Sequence, residues 1–338
     1  MPRGKKKFII EDGVLTRYNG SDAVVKVPDS VEVIGASVFE DCAAITSVEL
    51  PESVVTIERE AFARCRSLKT IRFPASLREI GCAAFSNCIN LALIEFPEKT
   101  VEYETYDFEE EFVHMHSCLL GIPQLLEISP YAFENCISLT SVELPEGVNI
   151  IGQGTFLHCR SLVSIRFPAS LYRLTDCFSM EWRADHGVFE GCTALKTVEL
   201  PGHLAEIGER TFKDCTGLCS VFLPESLKEI RKSAFEGCTS LTSIRLPDEL
   251  TEIGEAAFAS CRSLECLTIP THVKVIEKNT FAKCLHLRQI TLPEGLEAIR
   301  EGAFYRCKSL ESVSVTGSVA EHSETGTIPA HSETGTIP

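Results

Sequence analysis

The chain has 338 residues, 44% of them hydrophobic and 24% charged, and its 32 basic and 48 acidic residues give a formal charge of −16. Such a chain can bury a substantial core, which excludes a disordered protein. The acidic balance argues against nucleic acid or anionic lipid as a partner, because both need a basic face. No apolar stretch approaches the ~18–20 residues that a membrane-spanning helix requires, so we expect no membrane insertion.

The N-terminal segment, residues 1–7, is basic, with Arg3 and Lys5 to Lys7 against the acidic balance. The apolar run behind it, Phe8 to Ile10, is too short for the hydrophobic region of a secretory signal peptide. We therefore expect residues 1–7 to be disordered and the protein to be cytoplasmic.

From Phe39 onward the chain is an internal repeat. Phenylalanine recurs every 23 residues, except for one step of 25 and one of 33, at positions 39, 62, 85, 108, 133, 156, 189, 212, 235, 258, 281 and 304. An apolar pattern follows each of these residues except Phe108, where Glu111 stands at the cysteine position, and one complete copy is Phe62, Cys65, Leu68, Ile71, Phe73, Pro74, Leu77 and Ile80. This repetition predicts a stack of about twelve coils.

The period and the pattern indicate a solenoid of the leucine-rich-repeat type. Its 23 residues lie within the ~20–29 residues of such repeats. Ile71 to Phe73 alternate in, out, in as a short strand does, and Pro74 ends the strand because it lacks an N–H. We expect short parallel β-strands on one face and turns, with at most a single helical turn, on the other. No coil has a core of its own, so stacking supplies the packing partners.

The repeat unit resembles the BspA-like leucine-rich repeat. Residues 237–247, GCTSLTSIRLP, followed by Leu250, Ile253 and Gly254, carry this resemblance. The opening residues 8–16, FIIEDGVLT, are similar to the half-coil that begins such arrays, and the resemblance covers roughly residues 8–315. It implies a non-catalytic binding scaffold. The best-known members resemble cell-surface adhesins that contact host or matrix proteins, which makes an adhesin at the cell surface the alternative.

Two irregular coils interrupt the solenoid, at about residues 99–130 and 175–188. Insertions in solenoids become surface loops, where binding residues concentrate. Trp182, in the second coil, is a candidate partner-binding residue because exposed tryptophans are common hot spots. The competing interpretation is that Trp182 folds back over neighbouring coils. In the first coil, His114, His116 and Cys118 form a weak candidate zinc site, because alternating ligands need another segment to complete the set.

Residues 316–338 lie beyond the periodic region. They contain the octapeptide HSETGTIP twice, at 322–329 and 331–338. So polar a segment cannot add to a core, and we expect a disordered tail.

Eleven of the sixteen cysteines occupy one position of the coil, three residues after the repeat Phe. Stacking places them in a column, where parallel Cβ vectors disfavour disulfides and a straight line cannot surround a tetrahedral zinc. We expect buried, reduced thiols whose S–H groups donate to turn carbonyls, which fits the cytoplasm. Four cysteines off the column are candidates for exposed thiols: Cys82, Cys177, Cys219 and Cys266.

The outward side chains of the strands are predicted to form an open sheet face. Ten residues after each Phe, acid and base mostly alternate, with one aromatic residue in the row. Our candidate partner-binding residues on this face are Glu49, Arg72, Glu95, Glu143, Arg166, Glu199, Phe222 and Arg245. The row has two compatible interpretations, a ladder of cross-strand ion pairs and a docking surface with Phe222 as its apolar anchor.

The sequence contains no phosphate loop, dinucleotide fingerprint, His-Glu-x-x-His or Gly-x-Ser-x-Gly motif. We therefore expect no catalysis and no cofactor. The function predicted is a protein–protein interaction scaffold that binds its partner along the curved sheet face and the irregular coils. The alternatives are the adhesin and a structural element that self-associates through the sheet face or the solenoid ends.

Overall fold

The computed structural model describes residues 6–97, 126–174 and 186–315. Within these ranges each repeat forms one layer of a β-solenoid, and the layers contain strands and turns but no helix. It follows that the described part of the chain has no helix long and apolar enough to cross a membrane. The predicted solenoid of 23-residue coils is therefore confirmed.

Two series of strands run along the solenoid. We call the strands that precede the repeat proline, and the corresponding strand of the last layer, face strands: β3 Val24–Lys26, β5 Ser47–Glu49, β7 Thr70–Arg72, β9 Leu93–Glu95, β11 Ser141–Glu143, β13 Ser164–Arg166, β15 Thr197–Glu199, β17 Ser220–Phe222, β20 Cys266–Thr268, β22 Gln289–Leu292 and β24 Ser312–Val315. We call the second series back strands: β4 Val33–Ile34, β6 Thr56–Ile57, β8 Glu79–Ile80, β10 Leu126–Ile128, β12 Val148–Ile151, β14 Arg173–Leu174, β16 Glu206–Ile207, β18 Glu229–Ile230, β19 Glu252–Ile253, β21 Val275–Ile276 and β23 Ala298–Ile299.

The pairs within each series are parallel and nearly all in register. Equivalent positions of successive repeats face each other, as Ile71 faces Val48 and Ile94. The back strands are a feature that the sequence does not reveal, because most contain only two residues and so show no alternation. Instead of the predicted single strand, most layers therefore have one on each of two sides.

The core is a set of apolar columns, and the phenylalanine column is the largest. Successive repeat phenylalanines stack with ring centroids 4.9–5.8 Å apart and planes within 14° of parallel. Every ring from Phe39 to Phe281 in this column is fully buried. The spacing of adjacent strands, about 4.8 Å, brings the rings into contact, so the backbone period itself sets the stacking.

Among the described residues the column contains eleven layers, whereas the sequence predicts about twelve units. The Phe85 ring stacks directly on Phe133, at 5.3 Å, and β8 pairs with β10, so no layer fits between them. Residues 98–125 therefore form an insertion inside the layer of Phe85, between its face strand and its back strand. Phe108 lies outside the described residues and adds no layer to this stack.

Each layer closes through a turn around the repeat Phe. In most layers the residues two before and two after the Phe have positive φ, as Glu60 (56°) and Arg64 (61°) do. The corner glycines have another role: a Cβ on Gly81 would lie 2.8 Å from the backbone nitrogen of Arg59 in the preceding layer. Close approach of two layers, rather than a left-handed φ, requires glycine there.

The two ends of the solenoid differ. At the N-terminus, β1 Phe8–Glu11 and β2 Val14–Tyr18 form an antiparallel hairpin that covers the first layer. The Tyr18 ring takes the place of a repeat Phe, 5.1 Å from the Phe39 ring. At the other end of the described residues, Phe304, Leu310 and Val313 are only half-buried.

Candidate protein-binding face

The outward face consists of the first and third side chains of each face strand. In β7, Ile71 points into the core while Thr70 and Arg72 are exposed. The three-residue in–out alternation repeats in β5, β9, β11, β13, β15 and β17, where the middle residue is buried. Because the strands pair in register, the third residues form one row across the layers.

The structure places all described candidates in this row and exposes them. Glu49, Arg72 and Glu95 face one another on three hydrogen-bonded strands. The other exposed candidates follow in the later layers: Glu143, Arg166, Glu199, Phe222 and Arg245. Trp182 lies outside the described residues, so its proposed role stays a prediction.

The row forms few ion pairs. Arg166 Nη1 lies 2.6 Å from Glu143 Oε1 on the neighbouring strand. Arg245 Nη2 instead contacts Glu225 Oε1, at 3.1 Å, outside the row. Among the described residues, Glu49, Arg72 and Glu95 make no ion pair with one another. These exposed pairs contribute little stability, about 0–1 kcal/mol each, so most charges of the row are free to meet a partner.

Phe222 is the apolar centre of the row. Its side chain is 58% exposed, whereas the repeat phenylalanines beneath it are fully buried. A shallow depression adjoins it, lined by Val221, Phe222, Leu223, Glu225, Arg245 and Pro247. The depression lies where residues 243–245 take the place of a face strand without the regular ladder found in the layers before and after. An exposed aromatic beside a local break in the sheet is a typical contact point.

Sequence reasoning missed three features of this face. Lys26 and the 55% exposed Val24 extend the row into the first half-coil, which has no repeat Phe to align it. Glu225 could not be assigned to Arg245, because it lies in a corner and not on a strand. Leu93 is exposed beside Glu95, and its first-position location in β9 was the available signal.

Beyond Arg245 the row loses its charge. Thr268 and Thr291 face each other in β20 and β22, and the Thr291 hydroxyl lies 3.1 Å from that of Ser314. Cys266 is exposed on the same face, as predicted, and Cys219 is exposed at the start of β17. Cys82 is half-buried, and Cys177 lies outside the described residues. The face therefore has a charged part, an aromatic centre and a hydroxyl part.

Nine of the eleven column cysteines are buried, and Cys42 and Cys307 at the two ends of the column are half-buried. Ten of its thiols donate to the carbonyl of the repeat Phe in the preceding layer, with Sγ–O distances of 3.0–3.4 Å. None of the described cysteines forms a disulfide with another described cysteine. Burial raises the pKa of Cys65 and of Cys159 to about 12, because a thiolate is poorly solvated in the core. The column is therefore structural and chemically inert.

The proposed zinc ligands cannot be placed, since His114, His116 and Cys118 lie outside the described residues. In the part of the chain that the structure describes, no three His, Cys, Asp or Glu side chains are grouped to hold a metal. The two insertions leave from different sides of the solenoid. Residues 98–125 follow the layer's face strand β9, whereas residues 175–185 follow the back strand β14. Only the first insertion departs beside the outward face.

Stacked layers of about 23 residues, each with one buried Phe and a short face strand before a proline, define a leucine-rich-repeat solenoid. The model of the BspA type leucine rich repeat region matches the chain in six copies, over residues 18–120, 119–182 and 206–325. The chain belongs to the BspA-type leucine-rich repeat family. A comparison with curated proteins finds no match.

Several solved structures are similar to this chain. A leucine rich cell surface protein from Faecalibacterium prausnitzii A2-165 is 25% identical, over 92% of this chain and 93% of its own, with a TM-score of 0.45. A leucine-rich repeat protein from Bacteroides ovatus is 27% identical, over 81% and 80%, with a TM-score of 0.36. The pneumococcal vaccine antigen PcpA is 18% identical, over 90% and 86%, with a TM-score of 0.47.

Proposed function

We propose that the chain is a non-catalytic scaffold that binds a protein partner on its outward face, with Phe222 as the anchor. The observation that carries this proposal is the 58% exposure of Phe222 at the centre of an ordered polar row. Leaving a large aromatic side chain in water forgoes about 1.5–3 kcal/mol of burial energy. A partner that covers the ring recovers this energy, and the surrounding charges then select the partner.

The anchor can be tested by affinity capture with matched variants. Wild-type chain, Phe222→Ala and Tyr305→Ala are immobilised and exposed to proteins of the source cell. Tyr305 is the control, because its ring is 53% exposed but lies in a turn away from the outward face. We expect one polypeptide to be retained by the wild type and by Tyr305→Ala but lost from Phe222→Ala.

The captured polypeptide is then purified, and its Kd for each chain is measured by calorimetry. Loss of a hot-spot aromatic should weaken binding by about 30-fold or more, which corresponds to at least ~2 kcal/mol. Equal Kd values for wild type and Phe222→Ala would remove the outward face from the proposal. Circular dichroism establishes that the variants are folded.

We further propose a reducing compartment, the cytoplasm, as the location of the protein. The support comes from the thiols, because the column cysteines donate as S–H groups. Cys219 and Cys266 are exposed to solvent, where an oxidising compartment would oxidise them. The cell surface is the alternative location. Protease treatment of intact source cells distinguishes them, because a cytoplasmic chain survives until lysis whereas a surface chain is digested at once.

A further inference from the structure

The row on the outward face is self-complementary about Phe222. Glu199 lies one layer before Phe222, and Arg245 lies one layer after it. The layers beyond carry Arg166 on one side and Thr268 on the other. The two layers next to Phe222 therefore carry an acid on one side and a base on the other. When a second copy lies against the row in the reverse layer order, each of these acids faces a base.

We propose that a second copy of this chain binds the outward face, face to face, about a two-fold axis that runs along β17 through Phe222. This inference rests on the proposed function, since it names the partner of the same face. The axis reverses the order of the layers but keeps the strand direction. Phe222 then packs on Phe222 of the second copy, and Glu199 faces its Arg245, twice by symmetry.

The remaining contacts between third-position residues in this arrangement bring no like charges together. Arg166 meets Thr268 of the second copy, and Glu143 meets its Thr291. The first-position residues of the same layers are small or uncharged, so they do not hold the two faces apart: Ser141, Ser164, Thr197, Ser220, Ser243, Cys266 and Gln289.

The charges also select this axis over the other in-plane one. A two-fold axis along the length of the solenoid would keep each layer opposite itself. Glu143, Glu199 and Arg245 would then lie near their own copies, and juxtaposed like charges cost energy. The chosen arrangement also suits an acidic protein, because Glu143, Arg166, Glu199 and Arg245 sum to zero on a chain of charge −16.

The size of the face predicts a weak dimer. Six layer spacings from Glu143 to Thr291, the outermost residues that face each other, with strands three residues wide, cover roughly 29 Å by 10 Å, or about 290 Å² per copy. Stable complexes bury about 800 Å² per partner. We therefore expect dissociation in the range of about 100 µM, where the dimer is transient unless the chains are concentrated.

Sedimentation velocity from about 10 to 500 µM is the test, on the full chain under reducing conditions. We expect the wild-type sedimentation coefficient to rise with concentration, and Phe222→Ala to stay monomeric. Glu199→Arg and Arg245→Glu should each weaken the dimer about tenfold or more, because each places two pairs of like charges in contact. The double variant should return to within about threefold of the wild type, since its pairs are again opposite.

Two controls exclude effects within one chain. Glu199 and Arg245 are two layers apart, about 10 Å, with Phe222 between them, so restoration by the double variant has to arise between chains. Lys232→Gln removes an ion pair with Glu255 that lies after the back strands, away from the outward face, and is expected to leave the dimer intact. Tyr305→Ala changes an exposed aromatic away from the face and should likewise behave as the wild type.

The outcomes separate this inference from the proposed function. A wild-type chain that stays monomeric to 500 µM, or a double variant no better than the single ones, overturns the second copy as partner. In that case the proposed function would still hold if the wild-type chain captures another polypeptide and Phe222→Ala does not. If neither self-association nor capture depends on Phe222, both proposals fail.

Discussion

At the scale of single residues, the left-handed turn positions are the most costly local feature of the layers. Most of them carry side chains, among them Glu60, Ala83 and Ala256, although glycine is the residue best suited to positive φ. An L-residue in this conformation costs about 1–2 kcal/mol. The repeat tolerates this cost because backbone hydrogen bonds to the next layer fix the turn, as from Ala256 N to Lys278 O at 2.9 Å.

A matched pair of substitutions tests this cost. Ala256→Gly is expected to raise the free energy of unfolding by about 0.5 kcal/mol, because relief of the left-handed strain exceeds the added entropy of the unfolded chain. Gly237→Ala, at φ +77° and with a Cβ that would contact the Asp214 carboxylate of the preceding layer, is expected to lower it by at least about 1–2 kcal/mol. Urea unfolding of both variants provides the measurement. Destabilisation by Ala256→Gly would show that the turn is not strained.

Sequence reasoning identified what each column contains but not the turn conformation. The burial of the Phe, Cys, Leu and Ile positions can be predicted because one residue type recurs at fixed spacing. The left-handed positions hold Ser, Glu, Ala, Tyr, Arg and Asn in different layers, so no residue type marks them. Contacts to the next layer determine their φ, and such contacts are not encoded locally.

At the scale of elements, the insertion in the layer of Phe85 yields a sharp prediction. Deleting residues 101–125 changes the Phe85–Phe133 spacing from 48 to 23 residues and puts Glu127 at the position of Glu79. With Thr100→Leu to fill the buried site that Leu77 occupies in its own layer, we expect a folded chain within about 1–2 kcal/mol of the wild type.

Thermal unfolding and far-ultraviolet circular dichroism of this deletion variant provide the measurement. Its control deletes 25 residues, 131–155, and so removes Phe133 and the buried residues around it. That control should unfold at much lower temperature. A deletion of 101–125 as damaging as the control would mean that the insertion supports the stack. The sequence suggested a separate coil here because Phe108 matches the period, whereas direct Phe85–Phe133 stacking excludes one.

The N-terminal hairpin acts as the cap of the solenoid. The Tyr18 ring packs between Phe8 and Phe39, at 5.4 and 5.1 Å, and its hydroxyl donates to Asp22 at 2.8 Å. The same hydroxyl accepts from the Asp22 backbone N–H at 3.2 Å. Tyr18→Ala should cost about 3–5 kcal/mol in this region, and Tyr18→Phe only about 1–2 kcal/mol for the two lost hydrogen bonds.

Hydrogen exchange locates the effect of these cap variants. In Tyr18→Ala we expect faster exchange over residues 8–34 and unchanged exchange beyond residue 189, since each layer contacts only its neighbours. Faster exchange along the whole chain would contradict a local cap and indicate a cooperative unit of all layers. The sequence predicted only a half-coil here, because the antiparallel pairing of the hairpin lies outside the repeat.

The candidate site was predictable only in the part that follows the repeat. The row of third-position residues follows from the repeat, so the shared face of Glu49 to Arg245 was predictable from the sequence. The depression beside Phe222 was not, because it depends on a corner residue, Glu225, and on an irregular strand position at 243–245. Features that follow the 23-residue period can be predicted from the sequence, and features that depart from it cannot.

At the scale of the whole molecule, the cysteine column couples stability to pH. Ten of its thiols donate to buried carbonyls, and burial raises their pKa from 9.0, to about 12 in Cys65 and about 11 in Cys307. A group whose pKa is higher in the folded chain stabilises it fully below the unfolded pKa and loses that contribution as pH rises toward the folded pKa. The window of lost stability therefore opens near pH 9 and extends to about pH 11–12.

Summed over the column, this linkage predicts unfolding in mild alkali. Each thiol that ionises only in the unfolded chain lowers the free energy of unfolding by up to about 1.4 kcal/mol per pH unit. Ten such thiols lower it by on the order of 10 kcal/mol per pH unit, more than the usual stability of a domain can withstand. Under reducing conditions, the urea midpoint should be nearly constant from pH 7 to 8.5 and fall steeply above pH 9.

Removing thiols separates the column from other groups that titrate in alkali. The combined variant Cys65→Ala, Cys88→Ala and Cys136→Ala should have a lower midpoint at pH 7.5, because three small cavities form. Its midpoint should nevertheless fall less steeply above pH 9, by about a third, since three of ten thiols are gone. Cys266→Ser, on the exposed face, is the control and should leave the slope unchanged. An equal slope in all three chains would assign the alkaline loss to lysine and tyrosine, and the column would then contribute packing alone.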